Sequence, residues 1–164
     1  MRINTERLIL YLLNPTQLNL LVEDINSFEK ENSIKYRGEL IEGLFKKFVY
    51  DQLESSKKDI DNYCWSSLWL LIQKENNTAV GSISFKGKPN TKGEVEIGYG
   101  LGENYKRLGY MTEGVKAVCA WALDQDNVSN ITAETDADNI PSQRILEKCG
   151  FKKTKENDTI WWIL

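Results

Sequence analysis

The sequence predicts one mixed α/β (α+β) domain over residues 1–164, with a mostly antiparallel central sheet of about six or seven strands and about four helices. Runs with apolar alternation and runs with helical apolar spacing interleave along the chain. The strand, helix and strand across residues 93–135 require one right-handed parallel crossover in an otherwise antiparallel sheet. No repeat, Pro-rich linker or long block of one charge sign divides the 164 residues, so the length fits one domain.

The first third of the chain predicts one strand and two helices. Residues 7–13 form a β-rich run that ends at Asn14 and Pro15, a turn or a helix start. Residues 15–26 and 36–53 carry apolar side chains at helical spacing. In the second of these regions the apolar residues are Leu40, Leu44, Phe48 and Leu53.

Three strands are predicted next, at residues 67–73, 78–85 and 93–101. The third alternates clearly, so its side chains divide between two faces of the sheet. One face receives Val95, Ile97, Tyr99 and Leu101, and the other receives Glu94, Glu96, Gly98 and Gly100.

The remainder of the chain predicts a loop, two helices, a strand and a hairpin. Residues 102–110 are a polar loop before a helix at 111–123, and residues 130–135 are a strand. A helix at residues 139–149 is closed by Gly150, a residue that favours helix ends. The last two strands, at residues 151–155 and 159–164, are expected to pair.

Composition excludes several classes of function. The chain has 21 Lys and Arg against 24 Asp and Glu, a net charge of -3, which argues against nucleic-acid and anionic-membrane partners. It has no histidine, which excludes a Ser-His-Asp triad and a His-ligated metal site. Its three cysteines lie far apart without a zinc-type spacing. These features lead us to expect a cytoplasmic protein without a metal.

The loop before the predicted helix at residue 111 has the composition of an anion site. Gly109 and the cations Lys106 and Arg107 stand where a strand leads into a helix. Free N–H groups and the positive end of the helix dipole meet at such a junction. The Gly-Lys-Ser/Thr ending of a Walker loop is absent. On these residues alone, an ordinary solvated loop before a helix is the favoured interpretation.

Five segments together resemble the GNAT N-acetyltransferases, and among them the branch of the ribosomal-protein N-terminal acetyltransferases. They are residues 5–10 (TERLIL), 96–101 (EIGYGL), 106–113 (KRLGYMTE), 139–142 (NIPS) and 146–151 (LEKCGF). The resemblance spans nearly the whole chain. Lys106 and Met111 depart from the family loop pattern, which has Gln or Arg and Gly or Ala at these positions.

The resemblance implies the GNAT fold, in which the parallel strand pair splays apart, and acetyl-CoA as the acetyl donor. The pantetheine arm of acetyl-CoA then pairs with the open edge at residues 97–101, and its pyrophosphate lies at the loop. The implied cofactor-binding residues are Ile97, Gly98, Tyr99, Leu101, Lys106, Arg107, Leu108, Gly109, Tyr110, Met111, Thr112, Asn139 and Ser142.

The resemblance also implies direct attack of a primary amine on the thioester in a ternary complex. The enzyme must accept a proton from the amine and protonate the leaving thiolate. Glu103 is the first candidate base, with Glu96 and Glu134 as alternatives. Ser142 is the candidate acid, because Leu146 stands where many family members carry a tyrosine.

The acceptor is a peptide N-terminus or a small-molecule amine, and a homodimer is consistent with the family. In the family, the early helices line the acceptor site. The resemblance therefore makes four aromatic residues candidates for acceptor contacts: Phe28, Tyr36, Trp65 and Trp69. The alternative function is a non-catalytic acyl-CoA-binding or sensor domain with the same fold. Binding of acetyl-CoA without turnover would distinguish that alternative from the enzyme.

Overall fold

In the computed structural model, which describes residues 1–164, nine strands form one mixed sheet. The strands are β1 (Arg2–Asn4), β2 (Leu8–Leu12), β3 (Lys35–Tyr36), β4 (Leu68–Gln73), β5 (Thr78–Phe85), β6 (Glu94–Leu101), β7 (Asn130–Asp136), β8 (Lys152–Glu156) and β9 (Thr159–Ile163). The helices are α1 (Pro15–Glu23), α2 (Ile25–Asn32), α3 (Gly43–Lys58), α4 (Tyr110–Leu123) and α5 (Ile140–Lys148). Short 3-10 helices lie at Ile60–Trp65 and Glu103–Tyr105.

The strands lie in the order β1-β2-β4-β5-β6-β7-β9-β8, and β3 adds to β5 outside this path. The β6–β7 and β3–β5 pairs are parallel, and the other pairs are antiparallel. The parallel crossover predicted across residues 93–135 is therefore confirmed, with α4 as its helix. The rest of the sheet was expected to be antiparallel, which is wrong for the short strand β3, because it pairs parallel to β5. The predicted C-terminal hairpin is also confirmed as β8 and β9.

Apolar side chains cover both faces of the sheet, which gives two cores. One core of 23 buried residues joins the sheet to α4 and α5, and another of 13 joins it to α1, α2 and α3. Strand β4 shows the division, because Trp69 and Leu71 belong to the first core and Leu70 and Ile72 to the second. This burial on both faces explains why β4 reads as an apolar run without alternation.

The structure corrects the expected helix boundaries in the first third of the chain. The helix expected at residues 15–26 is broken at Asp24, whose carboxylate caps α2 by accepting from the N–H groups of Asn26 and Ser27. The helix expected at residues 36–53 begins only at Gly43. Leu40 and Leu44 are 72% and 87% exposed, so they do not form a buried helical stripe.

Two strands were not predicted from the sequence, because both are too short to show a hydrophobic period. Strand β1 has three residues and β3 has two. Strand β3 is extended because its backbone pairs with β5, a contact between segments distant in the chain. The sheet therefore has nine strands where six or seven were expected.

The parallel pair β6–β7 separates after three residues. Glu94, Val95 and Glu96 pair with β7, whereas the rest of β6 pairs only with β5 on its other side. The second half of β7 likewise pairs only with β9. Residues 97–101 therefore present an open backbone edge to the gap between the two strands.

Candidate functional site

The gap between β6 and β7 opens into a cleft of about 940 Å³. The end of β6, the loop that follows it, the start of α5 and the segment between β3 and α3 form its walls. Its lining includes Gly38, Glu39, Leu40, Glu42, Phe45, Tyr99, Gly100, Leu101, Gly102, Glu103, Lys106, Arg107, Met111, Asn139, Pro141, Ser142 and Ile145.

The loop before α4 presents unpaired backbone donors. Arg107 and Gly109 have left-handed φ angles of 65° and 83°, which turn the chain sharply into the helix. After Lys106, the next N–H group to donate to a backbone carbonyl is that of Glu113, which bonds to Gly109 at 3.1 Å. The N–H groups of residues 107–112 donate no hydrogen bond within the protein. Together with the dipole of α4, they form the anion-binding arrangement that the sequence predicted.

Arg7 and Glu113 hold this loop from behind. The Glu113 carboxylate accepts from Thr5 Oγ1 at 2.6 Å, and from the backbone N and the Nε of Arg7 at 2.8 Å each. Arg7 Nη1 also donates to the carbonyl of Leu108 at 2.9 Å, and its guanidinium lies 4.6 Å from the ring centre of Tyr110. Burial raises the pKa of Glu113, but these hydrogen bonds and the charge of Arg7 outweigh it and lower that pKa. We call these contacts the Arg7–Glu113 clamp.

Two hydroxyl groups meet where β6 and α5 line the cleft. Tyr99 from β6 and Ser142 from α5 place their oxygens 2.8 Å apart. Burial raises the pKa of Tyr99 to about 12, while its bond to Ser142 opposes the shift. The Asn139 side chain caps α5 by accepting from the N–H of Ser142 at 3.2 Å.

The structure thus brings a tyrosine hydroxyl next to Ser142 although Leu146 is wholly buried in the core. The sequence placed Tyr99 only among the cofactor-binding residues. The spacing within residues 139–151 could not reveal that Tyr99 pairs with Ser142, because Tyr99 lies outside this segment, on β6. The alternation of β6 did show that Tyr99 shares a face with Leu101, which also lines the cleft.

The three candidate bases lie in different places. Glu103 is at the rim of the cleft, 78% exposed, and pairs with Lys106. Glu96 pairs with Lys86 and lines a smaller groove of about 420 Å³ that also includes Trp161. Glu134 is exposed on β7 and accepts from Thr159 Oγ1 at 2.7 Å. Of the three, only Glu103 lines the cleft.

Several residues of the predicted cofactor site turn their side chains elsewhere. Ile97 is only 2% exposed and packs in the core, and a side chain at Gly98 would point toward Ser84. Tyr110 accepts a hydrogen bond from Gln73 behind the loop. Leu108 and Thr112 are absent from the cleft lining. The side chains of these residues therefore do not line the cleft.

The aromatic candidates for acceptor contacts were wrong. Phe28 and Trp69 are wholly buried, and Trp65 and Tyr36 are 4% and 5% exposed. They belong to the two cores, because α2, β3, β4 and the 3-10 helix at Ile60–Trp65 each turn one of them inward. The cleft instead receives Glu39, Leu40 and Phe45 from a segment that the sequence analysis assigned to a helix.

None of the helices has the length and apolar character that crossing a bilayer requires. No group of three or more Cys, Asp or Glu side chains is arranged to hold a metal ion.

Comparison with known proteins agrees with this architecture. The uncharacterized N-acetyltransferase YjdG of Bacillus subtilis is 40% identical over 83 residues, which are 51% of this chain and 49% of that protein. The chain spans about half the length of the curated relatives it matches.

Two solved structures share the fold across the whole chain. The ribosomal-protein-S5-alanine acetyltransferase from Vibrio fischeri has a TM-score of 0.72 at 16% identity, with 100% of this chain and 96% of that one covered. RimL, the ribosomal L7/L12 alpha-N-protein acetyltransferase, was solved in complex with coenzyme A. It has a TM-score of 0.71 at 14% identity, with 100% and 97% covered.

A family match carries the assignment beyond the fold. Residues 7–152 match the acetyltransferase (GNAT) domain family, which is most of the 164 residues. The fold and the family that the sequence motifs implied are therefore confirmed. The chain belongs to the GNAT acetyltransferase family.

Proposed function

We propose that the protein transfers the acetyl group of acetyl-CoA to a primary amine by direct attack in a ternary complex. One observation carries the proposal: the open edge of β6 at residues 99–101 lines the same cleft as Arg107 and Met111, whose N–H groups are free. An extended amide chain that ends in phosphates matches this combination, because the edge pairs with amides and the helix terminus binds anions. We also propose that residues 1–164 act as one domain. A cytoplasmic location and a homodimer remain predictions.

The residues around the loop fit the phosphate end of the donor. Lys106 and Arg107 line the cleft beside the free N–H groups and add positive charge there. The coenzyme A that was solved with RimL is consistent with this assignment. Met111 is 2% exposed and packs into the core, so its bulk lies mostly below the loop.

The reaction forms a bond between the amine nitrogen and the acetyl carbon, and it breaks the bond from that carbon to sulfur. We assign the proton that the thiolate receives to Ser142, which Tyr99 supports through their hydrogen bond. We assign the proton that leaves the amine to Glu103 through water, because this carboxylate is at the rim of the cleft. Glu96 and Glu134 are weaker candidates because they lie outside the cleft.

Two measurements test the proposal. Acetyl-CoA at a hundred times its Kd should stabilise the fold by about 2.7 kcal/mol, which a thermal-shift assay detects. Coenzyme A release should then appear with a panel of primary amines. Stabilisation without release for any amine would favour the sensor domain, and no stabilisation would refute both functions.

A further inference from the structure

A neighbouring segment lies against two glycines, one near the end of β6 and one just after it. A Cβ atom at Gly102 would collide with the carbonyl of Arg37, and one at Gly100 would collide with the carboxylate of Glu39. Residues 37–39, between β3 and α3, therefore lie directly on the strand. The two glycines permit a contact that any other residue would displace.

Hydrogen bonds hold this segment in place. Tyr36 is 5% exposed and donates its hydroxyl hydrogen to the carbonyl of Glu39 at 2.8 Å. Glu29 of α2 accepts from the backbone N of Tyr36 at 2.7 Å and from Arg37 Nη1 at 2.8 Å. The backbone that presents Glu39 is thus fixed from two sides, while the Glu39 side chain makes no hydrogen bond with the protein.

The Glu39 carboxylate lies in an acidic part of the cleft. Glu42 of the same segment and Glu103 of the loop line the same space. The charged groups on the facing loop are Lys106, which already pairs with Glu103, and Arg107. Although Glu39 as a whole is exposed, burial of its carboxyl end raises its pKa above the usual range, and Lys106 opposes the shift.

Apolar side chains adjoin this carboxylate. Leu40 is 72% exposed and lines the cleft beside Glu39, as does Phe45 of α3. An exposed leucine next to an unpaired carboxylate suits a ligand that has a positive charge and an apolar group close together. The three carboxylates of the cleft outnumber its two cations, which we assign to the phosphates of the donor, so the cleft disfavours a ligand that carries its own carboxylate next to the amine.

We propose that Glu39 binds the ammonium group of the acceptor and that Leu40 contacts the acceptor's apolar side chain. The acceptor is then an aliphatic amine with an apolar substituent and without an adjacent carboxylate, such as the N-terminus of a peptide. This inference rests on the proposed acetyl transfer, and it adds the acceptor class and the residues that select it.

Amides of amino acids provide matched probes, with acetyl-CoA held at saturation. L-leucinamide and L-leucine differ by the carboxylate, and L-leucinamide and glycinamide differ by the side chain. We expect kcat/KM for L-leucinamide to exceed that for L-leucine and for glycinamide by about 10-fold or more. Equal values for L-leucinamide and L-leucine, or no acetylation of L-leucinamide, would overturn the acceptor assignment.

The variant Glu39→Gln tests the carboxylate itself. A lost contact between opposite charges raises KM for L-leucinamide by about 10-fold or more, and KM for acetyl-CoA stays unchanged. O-methylhydroxylamine is uncharged at neutral pH, so its kcat/KM should change much less than that of L-leucinamide. A structural role of Glu39 would instead affect both acceptors equally. The control is Glu31→Gln, which removes the same charge from an exposed position of α2 outside the cleft.

A second pair of variants tests the apolar contact. Leu40→Ser should lower kcat/KM for L-leucinamide but not for glycinamide, whereas Leu44→Ser should change neither. Leu44 is the matched control because it is 87% exposed and does not line the cleft. Equal effects of the two substitutions would contradict the role of Leu40.

The outcomes separate this inference from the proposed function. If the parent protein is not stabilised by acetyl-CoA, the proposed function fails. If the parent acetylates L-leucinamide and Glu39→Gln does so with the same KM, the function stands and the role of Glu39 is overturned. An unchanged Tm of each variant shows that the comparison concerns folded protein.

Discussion

The Arg7–Glu113 clamp gives the most direct test of how the loop before α4 is held. The substitution Glu113→Ala removes the carboxylate that accepts from Thr5 Oγ1 and from two nitrogens of Arg7. It also releases the guanidinium that bonds to the carbonyl of Leu108. We therefore expect losses in both stability and acetyl-CoA affinity.

The size of the stability loss follows from exposure. The side chains of Glu113 and Arg7 are 16% and 43% exposed, so solvent screens much of their ion pair, which contributes at most about 1 kcal/mol. The partly buried bond from Thr5 Oγ1 and the exposed bond from the backbone N of Arg7 add about 1 kcal/mol together. A total of about 2 kcal/mol lowers the Tm of a chain of this size by about 4–8 °C.

The pH dependence of this loss has a defined sign. The pKa of Glu113 is lowered in the folded protein from its ordinary value of 4.5. A carboxylate with a lowered pKa stabilises the fold fully above its unfolded pKa, and this contribution is lost as the pH falls through the folded pKa. The difference in Tm between parent and Glu113→Ala should therefore be largest at neutral pH and should shrink below about pH 4.5.

Differential scanning calorimetry from pH 3 to pH 7 measures both the loss in Tm and its dependence on pH. Glu6→Ala is the control, because Glu6 is an exposed carboxylate of the same segment outside the clamp. If Glu113→Ala melts within 1 °C of the parent at pH 7, or if the difference grows toward acid, the clamp does not stabilise the loop as argued.

Three further predictions concern the cleft. Gly109→Asp should abolish most of the rise in Tm caused by acetyl-CoA, because it adds negative charge at the free N–H groups and strains a φ of 83°; an undiminished rise would refute the anion site. Ser142→Ala should lower kcat far more than acetyl-CoA affinity, and Tyr99→Phe should have a smaller effect of the same kind, since both act on the leaving thiolate; unchanged steady-state kinetics would leave both hydroxyls structural. Glu103→Gln should reduce kcat/KM by about 10²–10⁴-fold with an alkyl amine near neutral pH. If Glu103→Gln instead keeps the pH profile of the parent, and Glu96→Gln loses the acidic limb of that profile, the base is Glu96 on β6.

The second half of the chain could be predicted well because its elements follow local rules. The stripe of α4 from Met111 to Ala122 is buried as the helical period predicts. Val95 and Ile97 of β6 are buried as the alternation predicts. These elements have one face toward the core and one away from it, so the pattern of apolar residues determines their structure.

The acceptor side of the cleft could not be predicted in the same way. Glu39 owes its position to the space above Gly100, which is a contact between distant segments. It also depends on the hydroxyl of Tyr36, a residue that the pairing of β3 with the distant strand β5 holds in place. Leu40 and Leu44 have helical spacing but lie exposed. Apolar residues that remain in solvent give the same signal as core residues, so the period alone misassigned this segment.

The gap between β6 and β7 also affects how the protein avoids association with itself. An unpaired strand at the outside of a sheet invites pairing with other chains, and proteins counter this with short or charged edges. Here the outermost strands follow that rule: β1 has three residues, and β8, with the sequence KKTKE, is exposed along its whole length. The longer unpaired edge of residues 97–101 is placed inside the sheet, with β7, β9 and β8 continuing beyond it. Strands on both sides shield it from another protein, so its hydrogen-bonding groups remain available to a slender ligand without exposing an aggregation site.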